Sequence, residues 1–241
     1  MPDIDWNLAA WSGGRDWSGE GEAWSQPWGG SEAQWFGVLY PRLHRRLPAP
    51  AIMEIAPGFG RWTRFLLPQC TSFVGVDLSQ TAIEACRDTF AAASHASFVC
   101  NDGLTLPPGG PLDLVFSFDS LVHAEFEVFE AYVPQILARL APGGVAFLHH
   151  SNLAALDPAM DNPHHRARSV SAARLRHLVA ISGGAVLVQE VIAWGEFPQH
   201  DCMTLFGRRD SFPASRPTLL DNPDSWREAW MIQQYQAPWN R

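Results

Sequence analysis

A short apolar run, Ala51-Ile-Met-Glu-Ile-Ala56, breaks into a glycine-bearing turn, Pro57-Gly58-Phe59-Gly60, and a helical stretch from Arg61 to Cys70 follows at once. A second apolar run then closes on an acid, Val74-Gly-Val-Asp77. Strand, glycine turn, helix, strand, acid is the opening unit of a parallel, doubly covered α/β sheet. In such sheets ligands sit beyond the carboxyl ends of the strands, and glycine there lets backbone approach a ligand closely. Asp77 lies 19 residues after Gly58, the right distance for a carboxylate that takes the ribose hydroxyls of an adenosine. A dinucleotide turn would want a fuller GxGxxG. Here Ala56 stands at the first glycine position and the spacing is GxG, a weaker match.

The alternation continues. Ser97 to Asp102 reads as a third strand, Leu112 to Asp119 as a fourth, then a helix from Glu125 to Leu140, a turn Ala141-Pro-Gly-Gly144, and a fifth strand, Val145 to Asn152. Ser169 or Ser171 caps a helix through Ile181, and Gly183-Gly184 stops it. The runs Ala185–Trp194 and Asp201–Arg209 follow with a link too short for a helical crossover, so these last strands are expected to be antiparallel. Upstream, a helix is expected from Ser31 to Arg46, ended by Pro48 and Pro50. Residues 1–30 carry little periodicity and read as an irregular arm. Six tryptophans fall in the first 35 residues: Trp6, Trp11, Trp17, Trp24, Trp28 and Trp35. Exposed tryptophans are a liability in water, so the arm must dock. The expected organisation is a Trp-rich arm and helix at 1–48 acting as a lid, a ligand-binding α/β domain at 49–209, and a tail at 210–241 with a helical piece from Ser225 to Tyr235. The tail is ordered either by packing or by a partner subunit, as in a homodimer.

Bulk properties narrow the classes. A net charge of −8 gives no general attraction to phosphate backbones, so nucleic acid is not expected as a partner. No apolar run reaches the roughly 20 residues that span a bilayer. The opening MPDIDW lacks a secretory pattern, and Cys70, Cys86, Cys100 and Cys202 are scattered without metal spacing. A cytoplasmic protein with reduced thiols and no bound metal is the expectation.

Together these motifs resemble the class I S-adenosyl-L-methionine (SAM) dependent methyltransferases over residues 50–209. Glu54 to Gly60 looks like the family's glycine-rich motif, Val74 to Asp77 its ribose-binding acid, Asn101-Asp102 its adenine-side motif, and Leu140 to His150 its fifth-strand segment. The resemblance implies a Rossmann-like fold with a mostly parallel seven-stranded sheet, an antiparallel last strand and helices on both faces. It implies SAM as cofactor, held by Glu54, Ala56, Gly58, Gly60, Asp77, Leu78, Asn101, Asp102, Gly103 and Phe118, with Glu54 near the amino group of the methionine part. Ala56 departs from the family's usual glycine.

The ends of strands four and five carry Asp119, His123, His149 and His150, and the following loop carries His164-His165-Arg166. A hydroxyl acceptor loses its proton as it attacks the methyl group, and histidine suits that task. Strand alternation sends one of His149 and His150 to the cleft; His150 is favoured as base, His123 is second, and Asp119 orients the imidazole. A divalent ion held by His and Asp is the minority alternative. A further resemblance, carried by Phe116–Glu125, Phe147–Asn152, His164–Ala172 and the Trp194-Gly195…Asp201-Cys202 pair, is to bacterial glycan and polysaccharide methyltransferases. It implies a sugar hydroxyl as acceptor, with Trp28, Trp35 and Trp194 stacking on it. The rivals are a small natural product methylated at oxygen or nitrogen, and a SAM-binding protein without turnover.

Overall fold

The computed structural model describes residues 2–13, 17–213 and 216–235. Eight strands form one sheet: β1 (Ala51–Ile55), β2 (Ser72–Asp77), β3 (Ala96–Cys100), β4 (Leu112–Ser117), β5 (Leu140–Ser151), β6 (Gly184–Trp194), β7 (Phe197–Arg208) and β8 (Thr218–Asn222). Their order is β3-β2-β1-β4-β5-β7-β6-β8. The first five are parallel, and β7 lies antiparallel between β5 and β6. The expected seven strands are therefore corrected to eight. The extra strand comes from the tail and pairs parallel with β6. Its sequence, Thr-Leu-Leu-Asp-Asn, lacks alternation because neither face packs: the adjacent Leu219 and Leu220 are 56% and 46% exposed. A second difference is at Ala141–Gly144, expected as a turn, which extends β5 back to Leu140.

The α-helices among the described residues are α1 (Ile4–Ser12), α2 (Ser18–Gly21), α3 (Ser31–Gln34), α4 (Tyr40–Leu43), α5 (Thr63–Leu66), α6 (Gln80–Thr89), α7 (Phe126–Arg139), α8 (Ala172–Ile181) and α9 (Ser225–Tyr235). Period-2 alternation along the central strands feeds two cores. Met53, Val115, Ala146 and Leu148 join Phe129 and Ile136 of α7 and Val179 of α8. Ile52, Leu114, Phe116 and Phe147 join Trp35, Leu39 and Leu43 on the opposite face. Ser171 caps α8 by accepting the Arg174 N–H.

The arm is less irregular than its sequence suggests. Asp3 caps α1 by accepting the Trp6 N–H at 2.8 Å. Behind the arm, α3 and α4 are joined by a π-helical turn, Trp35–Leu39, into one helical stretch. α9 crosses that stretch at Gly37, where a Cβ would stand 2.6 Å from the Glu228 carbonyl oxygen. Arg42 clamps the crossing, donating to Glu190 and Glu228 at 2.6 Å each. Asn222 donates to the same two carboxylates.

Candidate active site

The carboxyl ends of β1, β2 and β4 open into a cavity of about 520 Å³, roofed by α1 and the arm. At one end is Asp77, the last residue of β2. Its Oδ2 accepts the Gly58 N–H at 3.0 Å and its Oδ1 accepts the Ser79 N–H at 2.8 Å. The acid thus fastens the glycine turn to the start of α6. Burial pushes its carboxyl up to about 6, against the two amide bonds that hold the charge. Ala56, Gly58, Leu78, Asn101, Gly103 and Phe118 line the cavity with it. Ala56 adopts φ 56°, the left-handed region where glycine is at ease. Asn101 is held by the Tyr132 hydroxyl and the Thr105 carbonyl.

Three residues expected to touch the cofactor stand elsewhere. Glu54 is buried beneath the turn, accepting the Thr63 hydroxyl at 2.6 Å, and does not line the cavity. Gly60 is needed for packing, since a Cβ there would meet Phe90 at 2.4 Å. Asp102 is exposed and spends both oxygens on Leu104 and Thr105, a turn acid whose pKa those bonds lower.

The other end is built on buried charge. Asp119, at φ 59°, pairs with Arg61 at 2.8 Å and lies 3.6 Å from Arg166. Arg166 in turn grips Asp201 of β7 at 3.0 Å and lies over the Trp194 ring, 4.6 Å from its centroid. Buried ion pairs survive only when paired and hydrogen-bonded throughout, and here each arginine has at least one carboxylate. Arginine holds Asp201 well below the usual range.

The histidines fall differently from expectation. His150 does not reach the cleft: it follows Leu148 onto the α7 face, fully buried against Phe129. There its Nδ1 donates to the Ser151 carbonyl and its Nε2 accepts the Thr204 hydroxyl, both at 2.8 Å. His149 takes the opposite face, stacked under Phe118, below the cavity wall. Its Nδ1 accepts the Asp119 N–H at 3.1 Å, and its Nε2 points to Asp201 at 3.3 Å. His123 does line the cavity, beneath Trp11. Its Nδ1 donates to the His165 carbonyl at 3.0 Å, and its Nε2 faces the Arg166 guanidinium at 3.4 Å. Burial and then Arg166 push its pKa down to about 4. Asp119 therefore does not orient a histidine base through its carboxylate; it binds the two arginines. Trp28 and Trp194 line the cavity, whereas Trp35 stacks on Phe65 in the core. Arg61 and Tyr132 carry no site role in the sequence reading, and Asp201 enters it only as part of a motif. Among the described residues no three His, Cys, Asp or Glu side chains are grouped so as to hold a metal ion.

Residues 52–144 match a family described as a methyltransferase domain. No curated protein matches the chain by sequence. Among solved structures, the N-methyltransferase NodS from Bradyrhizobium japonicum WM9, in complex with S-adenosyl-L-homocysteine (SAH), shares 16% identity at a TM-score of 0.61, covering 84% of this chain and 97% of its own. The DhpI–SAH complex shares 20% identity at 0.59, covering 86% and 95%. The glycopeptide N-methyltransferase MtfA, complexed with SAM, shares 17% at 0.55, covering 73% and 85%. At such identities the likeness is one of fold: the chain shares the α/β architecture of these methyltransferases. Its residues also fit SAM as cofactor. Asp77 has lone pairs left for a diol, and Trp11, Trp17 and Trp24 supply π faces suited to a sulfonium cation.

Proposed function

We propose that this protein is a SAM-dependent methyltransferase acting on a hydroxyl of a small molecule, with a sugar or glycan end as the acceptor class. One observation carries the reading: a single continuous cavity joins the Asp77 end to the Asp119–Arg166–Trp194 end. Its volume suits a drug-sized ligand and leaves little more, so the acceptor, or the part that enters, is small. Bound SAM supplies an activated methyl group; the chain's own work is to position the acceptor and exclude water. The arm acts as the lid. Trp17 covers Gly58, Ser12 meets Ser79, and Asn7 donates to the His123 carbonyl, so it touches both ends of the cavity. Indole faces of Trp28 and Trp194 suit the apolar side of a sugar ring. His150 lies outside the cavity and His123 has its Nδ1 on the His165 carbonyl and its Nε2 against Arg166, so Asp119 is the proton acceptor the geometry favours. An amine acceptor is the rival, carried by the activities named for NodS and MtfA.

Calorimetry tests the first step. SAM and SAH are expected to bind at micromolar strength and NAD not to bind. Asp77→Asn loses one of two charged acceptors and is expected to weaken SAM by about 1.5–3 kcal/mol, roughly ten- to a hundredfold. A variant that melts cooperatively and binds SAM as wild type does would place the cofactor elsewhere. Radiolabelled SAM with glycosides and amines then separates the acceptors, and an absence of turnover with every acceptor would favour a binding protein.

A further inference from the structure

Beside the acceptor end lies a second hollow of about 150 Å³, lined by Pro2, Trp6, Asn162, His165, Arg166 and Arg168. Trp6, His165 and Arg166 line both spaces, so the hollow shares a wall with the main cavity. None of its lining residues is acidic, in a chain whose net charge is −8.

The two arginines differ in their charge balance. Arg166 is compensated by Asp201 at 3.0 Å and Asp119 at 3.6 Å. Arg168 is held by neutral groups: its Nη1 donates to the Pro158 carbonyl and its Nη2 to the Met160 carbonyl, each at 3.0 Å. The nearby Glu125 meets the Arg168 backbone N–H at 3.3 Å and spends its other oxygen on Ser169. Among the described residues no carboxylate pairs with this guanidinium. Two carbonyls fix its plane while leaving its charge and its remaining N–H groups available. A fixed guanidinium plane matches the two oxygens of a carboxylate or phosphate.

We infer that this hollow is an anion subsite, which takes a carboxylate or phosphate carried by the methyl acceptor while the reacting group lies beside Asp119. The acceptor is then an acidic or phosphorylated small molecule, not a neutral one. The hollow is large enough for one such group and too small for a second ring. This rests on the methyltransferase reading, because only that reading makes the main cavity an acceptor site.

The test is calorimetry on the full chain saturated with SAH, titrated with inorganic phosphate and separately with acetate at constant ionic strength in chloride. Saturable millimolar binding of at least one anion is expected, and the tighter of the two identifies the preferred group. Arg168→Gln is expected to weaken it at least fivefold with SAH affinity unchanged. Because Arg168 also secures two loop carbonyls, His165→Asp serves as a second variant. It leaves those bonds alone, places a negative charge at the rim and is expected to weaken the anion similarly. No saturable binding of either anion, or unchanged binding in the well-folded variants, overturns the subsite. Failure of SAH itself to bind would instead overturn the methyltransferase reading, and the two failures are read in separate titrations.

Discussion

Glu54 closes β1 without touching the cavity, and its burial has a measurable cost. The carboxyl is pushed from an ordinary 4.5 up to about 8, by burial first and by the Asp77 charge in addition, against the Thr63 hydroxyl bond and Arg61. A carboxyl whose pKa is raised by folding stabilises the native state fully below 4.5, and that contribution is lost as pH rises through 8. At about 1.4 kcal/mol per pH unit, the whole loss is about 5 kcal/mol, of which about 2 kcal/mol falls between pH 6.5 and 8.5. Glu54→Gln keeps the volume and an oxygen to accept the Thr63 hydroxyl, and removes the ionisation. Urea unfolding of both proteins across that window is expected to show the glutamine variant gaining about 2 kcal/mol relative to wild type as pH rises. Titrating groups not coupled to Glu54 are common to both proteins and cancel, and the repulsion between Asp77 and Glu54 is part of the rise to about 8. Parallel stability curves from pH 6.5 to 8.5 would show that Glu54 is already ionised when the protein is folded, and would refute the argument.

Ala56→Gly is expected to raise stability by roughly 0.5–1 kcal/mol in urea unfolding, because alanine at φ 56° carries left-handed strain that glycine lacks. His150→Ala is expected to cost about 2–4 kcal/mol, from a cavity beside Phe129 and an orphaned Ser151 carbonyl, while SAH affinity measured by calorimetry stays within about twofold. His123 is pushed down to about 4 and stays neutral between pH 6 and 8, so His123→Ala is expected to leave the shape of the pH–rate profile over that range unchanged. An inflection near 6.5 that disappears in His123→Ala would restore histidine as the base.

The parts of this molecule written in local sequence were legible. The Gly58 turn, Asp77 at the end of its strand, the Ser171 cap and the β6–β7 hairpin each depend on neighbours a few residues away or on simple periodicity. The buried charges were not. Arg166 finds Asp201 across 35 residues and Arg61 finds Asp119 across 58, and only the packed sheet brings them together. For His149 and His150, alternation correctly separated the two rings but could not say which face α7 and α8 would cover. Asp102 misled because a turn acid and a ligand-binding acid occupy the same place after a strand, and only its bonds to Leu104 and Thr105 tell them apart. The eighth strand was invisible because both of its faces lie open.

The Arg42 clamp has a practical consequence for anyone handling this protein. The Trp-rich arm springs from a helical stretch whose outer side is gripped by α9, backbone against backbone at Gly37. One guanidinium there ties that stretch to the sheet through Glu190 and to α9 through Glu228. The two extremes of the polypeptide are therefore mechanically coupled. A shortened carboxyl terminus that loses Glu228 would loosen the footing from which the cavity is roofed, although none of the described residues from 216 to 235 lines the cavity. Trimming the last helix is, in effect, a remote edit to the roof.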